Sequence, residues 1–322
     1  MKKLGVFLGT FFFPLLFFTG VQAQGFPTKP LRIVVPFPAG GIVDLMARTL
    51  SEKLAAGLGQ PVLVDARPGA NGSIGTDAVA KSDPDGHTLV LATLSHVTTP
   101  TLMKTPWHPV KDFAGVAVMG HVANVVVIHP GLPPKSLREF VDYARTRPGQ
   151  LNFINAGAGA SQTMSAALFR RNSGIEMVSV GYNGFPPAIP DILSGQVQFS
   201  FMPFGVAAPH IRGGKLRALA VASPARSKLF PDVPTMAEAG YGESQVISWY
   251  AYLVPAATPR AVVTRLNAEF TKALADPEVI ARIEKIGGDP LPAGKPEDVD
   301  AMLAREFERW SKLVQATGMK IE

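Results

Sequence analysis

Apolar positions along the chain fall into two textures. Short β-rich runs recur at Leu31–Val35, Val62–Val64, Thr88–Ala92, Val116–Val118, Val125–Ile128, Leu151–Asn155, Met177–Val180, Val197–Phe201 and Leu216–Val221. Between many of them the apolar residues return at helical spacing. Leu45, Leu50, Leu54 and Leu58 keep a rough stripe, and Gly57 and Gly59 mark its end. Ser136–Arg147 reads as a second helix, stopped by Pro148-Gly149. Near-continuous apolar strands alternating with helices predict an α/β fold, a mainly parallel sheet flanked by helices on both faces.

The last third is helical. Thr258 is placed to cap a helix that has Pro259 at its first position. Val262, Leu266, Phe270 and Leu274 then repeat every four residues. A shorter helix ends at Gly287-Gly288. Pro296 opens another, with Val299, Leu303, Phe307, Trp310 and Val314 on one stripe, ending near Gly318. These stripes read as packing surfaces, and Trp310 as a core anchor.

With 322 residues the chain is long enough for two cores of ordinary size. Residues 1–23 belong to neither. Lys2 and Lys3 precede an apolar run from Leu4 to Phe18, and Val21-Gln22-Ala23 offers a small-residue cleavage site. That is the layout of a secretory signal peptide. A membrane anchor fits less well, because Pro14 interrupts the run and the run is short for a spanning helix. The remaining chain is expected to be exported and soluble. Without Lys2 and Lys3, 29 basic residues (31 − 2) face 25 acidic ones. These charges are scattered and do not interleave with aromatics, which gives no support to nucleic-acid binding. The absence of cysteine excludes disulfides, thiolate metal sites and a lipid-modified cysteine.

Candidate chemistry lies in two turns. "VPFPAGGIVDLMARTL" (35–50) is a strand that stops at Pro36-Phe37-Pro38, bends through Ala39-Gly40-Gly41 and enters a helix. "LNFINAGAGASQTMSAALF" (151–169) repeats the device, with Ala156–Ala160 as the bend. A helix start exposes unpaired N–H groups at the positive end of the helix dipole. Small residues let an anion approach that backbone closely, with no basic side chain needed. Two such turns suggest opposed jaws. Charge-assisted hydrogen bonds contribute about 1.5–3 kcal/mol each. Three or four, less the cost of immobilising a ligand, give roughly micromolar binding. Asp44 either caps first-turn amides or accepts a hydrogen bond from a ligand.

Rival motifs are incomplete. Gly157-Ala158-Gly159 begins a dinucleotide fingerprint whose third glycine is replaced by Gln162, and the Gly-Lys-Ser/Thr ending of a Walker loop is absent. Gly159-Ala160-Ser161-Gln162-Thr163 is one residue from a nucleophile elbow, which leaves a secreted hydrolase using Ser161 as the alternative. The six histidines, His87, His96, His108, His121, His129 and His210, form no helical pair of metal ligands.

The residues also carry a resemblance. The blocks "PTKPLRIVVPFPAGGIVDLMAR", "GQPVLVDARPGANGSIGTDAVAKSDPDGHTLVLAT", "HPGLPPKSLREFVDYARTRPGQLNF", "PDILSGQVQFSF", "VPTMAEAGY" and "VPAATPRAVVTRLNAEFTKALADPEV" follow in the order of the Bug family. These are extracytoplasmic solute receptors of tripartite tricarboxylate transporters. The resemblance implies a two-domain Venus-flytrap periplasmic binding protein of type II. Domain 1 is expected to be discontinuous, residues 24–122 and 225–322, and domain 2 to span 123–224. It implies a monomeric receptor that carries no catalytic residues, metal or cofactor and binds a small carboxylate between the domains. Its partners are expected to be the transporter's membrane subunits or a sensor protein.

Carried over by position, the ligand would meet Phe37, Pro38, Ala39, Gly40, Gly41 and Asp44 in the first loop. Ser95 and His96 follow a further strand. The second jaw supplies Ala156, Gly157, Ala158, Gly159, Ala160 and Ser161. The family's Tyr-Lys-Gly stretch falls on Tyr182, Asn183 and Gly184, and Phe204 lies nearby. Departures stand at Ala160, where relatives often carry Ser or Thr, at Thr163, where they carry His, and at Asn183 in place of Lys. The second jaw thus loses a hydroxyl, an imidazole and a cation. Phe153, Phe185 and Phe204 either add apolar surface to the cleft or belong to the core. If they line it, the ligand is an aromatic or longer aliphatic monocarboxylate.

Overall fold

The computed structural model describes residues 25–318 of the chain; the expected leader, residues 1–23, lies outside them. In chain order the elements are β1 (Leu31–Val35), α1 (Ile42–Leu58), β2 (Val62–Ala66), α2 (Ser73–Ala80), β3 (Thr88–Thr93), α3 (Ser95–Leu102), β4 (Phe113–Val122), β5 (Asn124–Ile128), α4 (Leu137–Arg145), β6 (Asn152–Asn155) and α5 (Ser161–Ser173). They continue with β7 (Val178–Gly181), α6 (Ile189–Ser194), β8 (Phe199–Pro203), α7 (Phe204–Arg212), β9 (Arg217–Ala222), β10 (Ser248–Pro255), α8 (Arg260–Leu274), α9 (Pro277–Lys285), β11 (Gly288–Pro290) and α10 (Pro296–Thr317).

The strands form two sheets, a six-stranded one ordered β11-β4-β10-β3-β1-β2 and a five-stranded one ordered β7-β6-β8-β5-β9. The order β2-β1-β3-β10-β4 in one matches β7-β6-β8-β5-β9 in the other. In this correspondence α1 and α5 are equivalent helices, since each follows the matching strand of its own sheet. The chain passes from the first sheet to the second through Ala123 alone and returns after Ala222.

Both sheets are mixed. β1, β2 and β3 are parallel, as are β6, β7 and β8. β10 lies antiparallel between β3 and β4, and β5 lies antiparallel between β8 and β9. A strand that arrives directly from the other sheet enters at the end where its neighbours leave, so it runs against them. The sequence pattern of a mainly parallel sheet misses this, because burial on both faces looks the same in either direction.

Side chains alternate between two faces of each sheet. Ile33 and Val35 pack with Met46, Leu50, Leu54, Leu266 and Phe270, whereas Val34 joins Trp107, Leu303 and Trp310 on the other side. Trp310 is a core residue, as its stripe predicts. Leu45 is not on the inward stripe. It is 38% exposed, because a five-residue step to Leu50 turns it off the buried face. α8 begins one residue later than expected, at Arg260, with Pro259 in extended conformation at the cap position. The Thr258 hydroxyl is buried beside it without a hydrogen-bond partner. The expected strand Val116–Val118 is the middle of the longer β4, whose pattern Gly115 and Gly120 interrupt. At Gly120 a Cβ would lie 2.4 Å from the Asp289 carbonyl oxygen, so only glycine lets β11 approach.

Candidate functional site

α1 and α5 point their N-termini at one cavity of about 50 Å³ between the two sheets. Phe37, Pro38, Gly41, Ile42 and Val43 line it from the first turn and helix, and Ala156, Ala160, Ser161 and Gln162 from the second. Thr93, Ser248 and Tyr250 line it from β3 and the start of β10, and Gly184, Phe185 and Pro186 from the loop after β7.

Neither helix start is capped by a side chain. The cap residues are Gly41 and Ala160, and both make no side-chain cap hydrogen bond. Leu45 and Met164 are the first amides to find carbonyls, at Gly41 (3.0 Å) and Ala160 (2.9 Å). The three preceding N–H groups of each helix therefore lack an intrahelical acceptor. Ile42 and Val43 of α1, and Ser161 and Gln162 of α5, are among them and line the cavity. Replacing a capping Ser or Thr by Ala costs a helix about 1 kcal/mol. At Ala160 that loss leaves the amides available to something else. No charged side chain lines the cavity among the described residues. Its polarity comes from two helix dipoles, Thr93, Ser161, Gln162, Ser248 and Tyr250. Burial raises the Tyr250 phenol well above its ordinary pKa against a hydrogen bond with Ser248, so the ring stays neutral.

The jaws are closed onto each other. Thr98 Oγ1 donates to the Gly159 carbonyl at 2.6 Å, and Thr99 Oγ1 to the Ala158 carbonyl at 3.1 Å. The Ala158 amide donates to Asn71 Oδ1 at 3.0 Å. Asn71 and its neighbour Ala70 hold left-handed backbone, φ 56° and 45°, a strained arrangement for residues other than glycine. On the other side of the cavity, Gly184 leaves room for Pro38, whose ring would stand 3.3 Å from a Cβ there.

Other residues expected at the site stand behind it. Asp44 is buried and its Oδ2 accepts from the Gly40 amide and from Arg48 Nε, both at 3.0 Å. It anchors the loop and does not line the cavity. Burial by itself would raise the Asp44 pKa; the Arg48 guanidinium and the Gly40 amide outweigh it and hold the carboxyl below the usual carboxylate range. Its contribution to stability is therefore present above about pH 4 and lost as pH falls through the depressed value. Asp44→Asn should flatten the acid-side fall of stability in a urea-denaturation series from pH 5 to pH 2. An unchanged profile would remove Asp44 from that linkage.

Ser95 shares a 2.9 Å hydrogen bond with Thr93, which does line the cavity. His96 is moved into the core, stacked on Trp107 at 5.0 Å with Nε2 against the Pro109 carbonyl. Burial lowers its pKa to about 4, so it is neutral. Tyr182, Asn183, Gly157 and Ala158 edge a neighbouring depression together with Asn71. The Tyr182 hydroxyl donates to Asp191 Oδ2 at 2.5 Å; burial, then this bond, pushes its pKa up to about 12. Ala39 and Gly40 lie at the turn outside the lining. Phe204 is core, its ring tilted against Phe230 at 5.3 Å, and Phe153 is core beneath Arg170. Only Phe185 of the three expected phenylalanines faces the cavity. Thr163 closes the second turn, its Oγ1 accepting from the Ala156 amide at 3.1 Å.

Tyr250, Ser248 and Gln162 were not expected. The aromatic and β-branched run of β10, "SWYAYLVP", is the signal that could have found the first two.

A larger groove of about 620 Å³ opens at Ala123 and Ser223–Leu229 on the crossover side. It is lined by paired and solvated charges such as Arg226, which is bridged to Glu238.

Residues 46–319 match the tripartite tricarboxylate transporter family receptor. Protein BugT of Bordetella pertussis is 36% identical over 325 residues, covering 100% of this chain and 99% of its own. Among solved structures, R. palustris Rpa4515 with adipate superposes with a TM-score of 0.87 at 31% identity, over 92% of this chain and 99% of its own. MatC from Rhodopseudomonas palustris with bound malate gives 0.84 at 32% identity, over 90% and 100%.

Proposed function

Because this chain belongs to the tripartite tricarboxylate transporter receptor family, we propose that it captures a small organic acid between its two sheets and holds the carboxylate on the first-turn amides of α1 and α5. The family is one of solute receptors, so the protein is not an enzyme and the hydrolase reading of Ser161 falls. The convergence of two uncapped helix starts on one cavity carries the proposal. It supplies hydrogen-bond donors and positive potential without a fixed cation. Relatives that hold adipate and malate agree with a carboxylate.

The ligand is an acid with a large apolar part. Phe37, Pro38, Ile42, Val43, Phe185 and Pro186 form the walls, and among the described residues no Arg or Lys lines the cavity to meet a second or third carboxylate. The closed jaws must part to admit it, and closure then presents a distinct form to membrane subunits of a transporter or to a sensor. The receptor works in the periplasm as a monomer, exported by its leader. Calorimetry with citrate, malate, adipate, benzoate and nicotinate tests the ligand class. Benzoate or nicotinate is expected to bind in the micromolar range; tightest binding by citrate would refute the apolar assignment.

A further inference from the structure

Behind the second jaw lies a buried polar side chain that the ligand reading leaves unused. Asn124 is the first residue of β5, directly after the crossover at Ala123, and it is 0% exposed. A carboxamide in that position must have its groups matched by partners. Its Oδ1 accepts from Gln162 Nε2 at 3.0 Å, and its Nδ2 donates to Ser161 Oγ at 3.2 Å. Ser161 and Gln162 both line the cavity.

This chain of bonds has a direction. With Gln162 donating to Asn124 and Asn124 donating to Ser161, the Ser161 oxygen is already an acceptor. Its own proton is then free to turn into the cavity and donate. If both carboxamides were reversed, Ser161 would donate to Asn124 and offer only lone pairs to a ligand. The two directions recognise opposite chemistry. One fits a carboxylate or carbonyl oxygen, the other an amide or amine N–H.

We propose that Asn124 is a positioning residue that makes Ser161 a hydrogen-bond donor, so that the second jaw selects a ligand oxygen that can only accept. This inference rests on the carboxylate reading of the cavity. Asn124 does not touch the ligand. It acts through Ser161, and its root at the start of an interior strand, paired on both sides with β8 and β9, fixes where the carboxamide stands. Aligned bonds in a low-dielectric interior polarise one another in the same sense, which strengthens the terminal donor.

Three pairs of probes differ only in replacing carboxylate by carboxamide: benzoate and benzamide, nicotinate and nicotinamide, adipate and adipamide. Their affinities are measured by calorimetry for the wild type, Ser161→Ala, Asn124→Ala and the double variant. Ser161→Ala should weaken the carboxylate that binds by about 10- to 100-fold, the range of a charge-assisted bond. Asn124→Ala should cost nearly as much, and the double variant no more than Ser161→Ala alone. Additive losses would overturn the relay while leaving the site in place. Asn124→Asp offers acceptors only and is the second test should the alanine variant fold poorly. It should lower the carboxylate-to-carboxamide affinity ratio at least about 10-fold, and most of that change should vanish in a Ser161→Ala background. A ratio that falls equally in both backgrounds would mean simple charge repulsion and would overturn the relay. Failure of every acid to bind the wild-type protein would overturn the site and this inference together.

Discussion

Gly159→Val should weaken binding of the organic acid by about 100-fold or more while both sheets stay folded. Gly159 holds φ 81°, and a Cβ there would stand 2.7 Å from Thr98 Oγ1 and Thr99 Oγ1 and 2.8 Å from the Thr99 amide nitrogen. Real Cβ atoms do not approach so closely, and the Thr99 amide belongs to the α3 backbone, which cannot swing away. The jaw must therefore stand off from α3. That loses the bonds from Thr98 to Gly159, Thr99 to Ala158 and Ala158 to Asn71. At about 0.5–1.5 kcal/mol each, the three together are worth roughly 1.5–4.5 kcal/mol. A loss near 2.7 kcal/mol is about 100-fold in affinity. Gly149→Val is the matched control: φ there is also positive, at 69°, but no atom lies within 4 Å of its Cβ position. It should carry the backbone strain without the effect on binding. Wild-type affinity in Gly159→Val, read by calorimetry, would show that closure through this contact does not hold the ligand.

Phe199→Ala should be among the most destabilising single changes in the second sheet, by about 3–5 kcal/mol. Phe199 is fully buried on β8. It stacks on Phe140 at 4.8 Å and on Phe169 at 5.7 Å, and meets Phe201 edge-on at 5.6 Å. Three rings from β8, α4 and α5 therefore lose a common partner, and rigid strands leave little room for collapse around the void. Aromatic pairs add about 0.5–1.5 kcal/mol beyond area burial. The midpoint of thermal unfolding should fall by roughly 6–20 °C. A loss under about 1 kcal/mol in urea denaturation would mean that α4 and α5 are free to close the gap.

Much of this architecture is legible in the amino-acid order. The strand at Leu31–Val35 and the end of α1 at Gly59 fall where apolar runs and glycine punctuation place them. The stripe of Val299, Leu303 and Trp310 is buried as spaced. What sequence cannot carry is long-range pairing. β10 is inserted between β3 and β4, more than a hundred residues from both, and no local periodicity encodes that insertion. The same limit applies to the site. The two glycine-lined turns announce themselves, because helix starts and small residues are local features. Tyr250 and Ser248 reach the cavity only through the pairing of β10 with β3 and β4, and Asn124 meets Ser161 across 37 residues. His96 and Phe204 show the converse. Both sit beside the expected loops in sequence, yet their side chains turn into the core, where Trp107 and Phe230 meet them.

Backbone amide resonances of isotope-labelled protein, followed by NMR during titration with the tightest-binding acid, report on each helix start separately. Ile42, Val43, Ser161 and Gln162 should show the largest downfield amide-proton shifts, and all four should saturate together at one acid per protein. Large shifts confined to the groove around Arg226 and Lys285, with these four amides unmoved, would mean that the helix starts do not hold the carboxylate.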